Sequence, residues 1–77
     1  MSKIYLITGD RKGIGRNLTE YYLSLGNTVI GCSRSGSDLK HDNYEHLICD
    51  VGDEKSVKKL TLLIRKKYKK LDVLINN

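Results

Sequence analysis

Three glycines just behind an apolar run constrain this chain more than any other feature of its 77 residues. The run is Ile4-Tyr5-Leu6-Ile7 and the glycines lie in Thr8-Gly9-Asp10-Arg11-Lys12-Gly13-Ile14-Gly15. Behind them Leu18, Tyr21, Tyr22 and Leu25 recur at three- and four-residue steps, the spacing of a helix with one apolar face. A buried strand, a glycine turn and a helix in immediate succession suit a phosphate-binding βα turn. Gly9 permits a tight turn, Gly13 lets backbone approach a pyrophosphate with no Cβ in the way, and Gly15 allows close helix–strand packing. The new helix then offers unpaired N–H groups and the positive end of its dipole to the phosphates.

The glycine spacing is G-x-x-x-G-x-G. It is neither G-x-G-x-x-G nor a P-loop, since no Gly-Lys-Ser/Thr closes it. With the threonine in front, T-G-x-x-x-G-I-G resembles the cofactor motif of the short-chain dehydrogenase/reductase family. That resemblance implies a dinucleotide site at Gly9, Asp10, Arg11, Lys12, Gly13, Ile14 and Gly15.

Read in order, residues 3–8 form a buried strand and 14–25 a helix closed by Gly26. Residues 28–33 are a second strand, 34–44 a loop with room for one helical turn, and 46–49 a third strand. Residues 53–69 make a long helix with Val57, Leu60, Ile64 and Tyr68 on one face, and 71–75 a fourth strand. Strands alternating with helices argue an α/β, Rossmann-type parallel sheet with helices on both faces. Right-handed crossovers give strand order 3-2-1-4, with the switch point for a ligand between strands 1 and 4. The expected organisation is one unit, residues 1–77, the N-terminal half of a single dinucleotide-binding domain that stops after strand 4. A domain of this class usually needs about twice this length or more. Strand 4 would then be an apolar edge, and part of one sheet face would lack its cover.

Cofactor selectivity is written at the end of the second strand. An acid about 20 positions beyond the glycine loop would bond the ribose 2′-hydroxyl of NAD. Here Ser33 stands there, followed by Arg34. An arginine fork can pair with a 2′-phosphate that a carboxylate would repel, and Lys12 adds a second cation. NADP(H) is therefore the expected cofactor, with NAD(H) second. The resemblance further implies that Asp50-Val51, after the third strand, lies in the adenine pocket. Leu71-Asp72-Val73-Leu74-Ile75-Asn76-Asn77 looks like the family's fourth strand running into Asn-Asn-Ala-Gly, with Asn76 near the cofactor ribose.

The family's catalytic serine and Tyr-x-x-x-Lys pair lie beyond its fourth strand. None of the five tyrosines here has a lysine four residues later, so no catalytic residue is assigned and the chain alone is expected to be inactive. The complete protein would move a hydride between a nicotinamide and a small carbonyl or alcohol substrate, as a homo-oligomer. Net charge is +5, but the cations crowd the last turns of the second helix behind Asp53 and Glu54, as a helix dipole favours. A solvated helix face is preferred to a nucleic-acid footprint. A non-catalytic dinucleotide-binding module and a Rossmann methyltransferase are the other readings. The latter is disfavoured by its need for an acid after strand two. No metal site is expected: Cys32 and Cys49 are 17 residues apart without clustered histidine, and free thiols in a reducing cytoplasm suit them. His41 and His46 are read as loop and strand-edge residues. No run of 18 apolar residues is present, and the chain enters its first strand without a signal-peptide pattern.

Overall fold

The computed structural model describes residues 2–77. The elements follow in the order β1 (Ile4–Thr8), α1 (Gly13–Ser24), β2 (Thr28–Ser33), β3 (Tyr44–Ile48), α2 (Glu54–Tyr68) and β4 (Val73–Ile75). The four strands form one parallel sheet in the order β3-β2-β1-β4. That order places the tip of β1, where the glycine loop begins, at the centre of the sheet's carboxyl edge.

Strand alternation sorts the core into two layers. Leu6, Ile30 and Cys32 face α2 and pack with Leu60, Ile64 and Cys49. Tyr5, Ile7 and Val29 face α1 and pack with Leu23, Leu18 and Tyr22. Ile7, Val29 and Ile30 are fully buried, each contributing about 1.5–3 kcal/mol relative to exposure. The continuous apolar character of β1 follows from being covered on both faces.

Each helix end has a local cause. Gly26, at φ +86°, closes α1: its N–H donates to the Leu23 carbonyl and that of Asn27 to the Tyr22 carbonyl, a Schellman pair that needs a left-handed residue. Asp53 caps α2 by accepting from the Lys55 N–H. At the edge of the sheet, β4 pairs with β1 alone. Asp72 fixes its entry through Ile4, giving its N–H to the Ile4 carbonyl and accepting the Ile4 N–H at 2.8 Å.

The third strand differs from the expectation. It starts at Tyr44, not His46, and ends at Ile48, with the preceding loop free of helix. Tyr44 packs into the α1-side layer, and Glu45 bonds Lys67 at 2.8 Å and the Tyr68 hydroxyl at 2.6 Å across on α2. Both residues are held in the strand by partners distant in sequence, which local apolar pattern does not register. On the α2 side, β4 is uncovered. Leu6, Val57, Leu60, Ile64, Leu71 and Leu74 line an open groove of about 520 Å³ there, and Leu74 is largely exposed.

Candidate functional site

The glycine loop takes the shape its glycines allow. Gly9 and Gly13 stand at φ +67° and +65°, a region that costs other L-residues about 1–2 kcal/mol. The Gly9 N–H donates to the Cys32 carbonyl at 2.8 Å, fastening the loop to the tip of β2. Around a Cβ placed on Gly13 there is only open space. A Cβ on Gly15 would overlap the Gly9 carbonyl and come within 2.7 Å of Asn77 Nδ2. Gly15 thus lets α1 press against the loop, while Gly13 leaves its outer side clear.

The start of α1 is open to an anion. Lys12 is the N-cap in extended conformation, makes no side-chain cap, and no acid occupies the first turn. The orphan N–H groups of that turn therefore have no partner from a capping side chain. Ile14, in the same turn, is exposed.

A cleft of about 500 Å³ runs across the carboxyl edge beside this loop. Gly9, Arg11 and Lys12 form one wall, Ser33 and Arg34 the next, and Asp50 and Val51 the far end, with Cys32 and Cys49 in the floor. Seven of the residues singled out from sequence therefore meet in one cavity. Arg11 is tethered, its Nε donating to the Gly36 carbonyl at 3.2 Å. Among the described residues, neither Lys12 nor Arg34 enters an ion pair. Asp50 uses one carboxylate oxygen to accept the Gly52 N–H at 2.9 Å. Burial, together with neighbouring Cys49 and Asp10, pushes the Cys32 thiol up to about 11, so it stays protonated.

Two singled-out residues lie elsewhere. Asn76 lines the apolar groove behind the sheet rather than the cleft, its Oδ1 accepting from the Thr8 hydroxyl at 3.1 Å. Its neighbour Asn77 is the one in the cleft. Asn77 gives its backbone N–H to Thr8 Oγ1 at 3.0 Å and its side-chain N–H to the Gly9 carbonyl at 3.2 Å. Asp10 is fully buried and points away from the cleft, into a polar cluster on the α1 side of the sheet. There the Tyr44 hydroxyl donates to Asp10 Oδ2, and His46 Nδ1 lies 2.9 Å from the same oxygen. The space exists because residue 31 is glycine: a Cβ there would overlap the Asp10 carboxyl group.

His46 thus sits on the edge strand, as expected, but faces inward with little exposure. Sequence reasoning passed over this cluster. The signal was available in Gly31, since glycine inside a strand marks a close approach, and Gly31 pairs in register with His46.

The sheet order, the crossovers and the glycine loop at the switch point define a Rossmann-type α/β domain. The chain belongs to the short chain dehydrogenase family, whose model matches residues 3–77. It is 41% identical over 94% of its length to the chloroplastic chlorophyll(ide) b reductase NOL of Oryza sativa subsp. japonica, of which it covers 24%. Among solved structures, a short-chain dehydrogenase from Streptomyces avermitilis superposes with a TM-score of 0.90 at 30% identity, over 96% of this chain and 30% of that one. One from Leptospira borgpetersenii with bound NAD+ gives 0.90 at 31% identity, over 99% and 31%. The chain spans about a quarter of the length of the NOL relative and about a third of these structures. No helix among the described residues is long and apolar enough to cross a membrane.

Proposed function

We propose that this chain is the cofactor-binding half of a short-chain oxidoreductase domain and that it prefers NADP(H) to NAD(H). When bound, the nicotinamide supplies hydride transfer to or from a carbonyl or alcohol. The residues of this chain hold and orient the dinucleotide. The open side of Gly13 and the uncapped start of α1 suit a pyrophosphate, and the far end at Asp50 and Val51 suits an adenine. The complete protein is read as a homo-oligomer in a reducing compartment such as the cytoplasm, which fits two free buried thiols. With no Tyr-x-x-x-Lys spacing among its tyrosines, the 77-residue chain alone is read as catalytically silent, so cofactor affinity and not turnover is its assay.

One observation carries the NADP(H) preference. Lys12 and Arg34 stand on adjoining walls of the cleft without an ion-pair partner, and the intervening position holds Ser33 in place of an acid. A charge-assisted bond to a 2′-phosphate is worth about 1.5–3 kcal/mol, so Arg34→Ala should weaken NADP(H) roughly ten- to a hundredfold. NAD(H) affinity should move far less. The measurement is both dissociation constants in the protein's full natural form. Equal losses for the two cofactors would remove Arg34 from the 2′-phosphate site and end the assignment.

A further inference from the structure

Building on the cofactor reading above, we propose that His46 is a positioning residue for 2′-phosphate selection. Its ring braces the loop that carries Arg34 against the phosphate loop.

The ring stands between the two loops. His46 Nδ1 faces Asp10 Oδ2 at 2.9 Å, and Nε2 faces the Ser35 carbonyl at 2.7 Å. The carbonyl can only accept, so Nε2 donates to it, while Nδ1 hydrogen-bonds the Asp10 carboxyl group. Ser33 Oγ, 3.3 Å from Nε2, does not change this, because its own hydroxyl is given to the Ser35 carbonyl at 2.6 Å. Nor does Tyr44, 3.2 Å from Nδ1, since its hydroxyl proton goes to Asp10. Burial and the Asp10 carboxylate hold the Tyr44 phenol well above its ordinary range, so it remains a donor. Asp10 is fully buried, and its Oδ2 is the oxygen that Tyr44 and His46 share, while its Oδ1 has no hydrogen-bond partner among the described residues.

The consequence reaches the cleft. Asp10 belongs to the loop between β1 and α1, next to Arg11 and Lys12. Ser35 follows Arg34 directly. The ring is thus one rigid link between the two cleft walls that present the free cations. Ser35 is held by His46 and Ser33, and Gly36 by Arg11, so the chain on both sides of Arg34 is fixed and its guanidinium starts from a defined place. Without the ring, the Ser35 carbonyl keeps only its bond from Ser33 and the link to Asp10 is lost. The other titratable groups around the cluster are Tyr44 on β3, Cys32 on β2, and Arg16 on α1, which is itself paired with Asp38 at 2.7 Å.

The test uses the protein in its full natural form. The dissociation constants of NADP+ and NAD+ are measured for wild type, His46→Gln, His46→Asn and Arg34→Ala. His46→Gln should lower the NADP+ to NAD+ affinity ratio about tenfold, the scale of one lost charge-assisted contact. An unchanged ratio in His46→Gln overturns the proposal. If His46→Gln does not fold, His46→Asn, whose side chain is too short to reach both Asp10 and Ser35, is read the same way. If Arg34→Ala lowers the ratio and His46→Gln does not, only this inference falls. If Arg34→Ala leaves the ratio unchanged, the cofactor assignment falls with it.

Discussion

Gly31→Ala should be among the most damaging small changes in this sheet. Gly31 is not among the glycines at positive φ, so alanine meets no backbone penalty there. Replacing a strand-interior glycine would ordinarily help by about 0.5–1 kcal/mol. Here the new Cβ would occupy the place of the Asp10 carboxyl group. The carboxylate must leave its slot and lose the bonds from Tyr44 and His46. Two charge-assisted bonds are worth about 3–6 kcal/mol together, so the net cost is roughly 2–5 kcal/mol after the backbone gain. That is a large share of the about 5–15 kcal/mol that holds a typical domain together. The assay is urea unfolding of the full natural protein as Gly31→Ala, Asp10→Ala and the double variant. With the carboxylate removed, the Gly31→Ala cost should shrink by at least about 2 kcal/mol, a coupling that independent sites do not show. Costs that simply add would mean the Asp10 carboxyl does not lie over Gly31, and the cluster as described would be wrong.

In Gly13→Val the new Cβ meets no protein atom within 4 Å, but a β-branched residue is forced to φ +65°. It should cost roughly 1–2 kcal/mol of stability and weaken dinucleotide binding by at least about tenfold, and unchanged affinity by titration would remove Gly13 from the phosphate site. Glu45 lies below its ordinary range because of its bonds to Lys67 and then Tyr68. A depressed carboxylate stabilises above its unfolded value, about 4.3, and loses that contribution as the pH falls through the folded one. The stability difference between wild type and Glu45→Gln should therefore be largest near neutrality and close under acid. Melting curves recorded from neutral pH into the acid range that keep a constant gap would show the pair contributes nothing.

Much of this protein is legible in its amino-acid sequence. The apolar run Ile4–Ile7, the glycine spacing and the helical repeat from Leu18 to Leu25 define β1, its turn and α1, because each is a local matter of covalent geometry and periodicity. Chirality then orders the strands, since right-handed crossovers leave 3-2-1-4 as the arrangement. Even the convergence of Lys12, Arg34 and Asp50 on one cleft follows from strand ends lying along one edge of a parallel sheet. What only the tertiary structure decided is where polar side chains turn. Tyr44 and Glu45 are strand residues because of Asp10 and Lys67, which lie 34 and 22 positions away. Asn77 rather than Asn76 faces the cleft because β4 alternates its sides against β1, an outcome set by register. Asp10, amid a loop of cofactor candidates, turns inward because Gly31 makes room for it and Tyr44 and His46 bond its Oδ2. A buried carboxyl group takes its side by what two other strands, β2 and β3, bring to it, and that choice exists only once the sheet has formed.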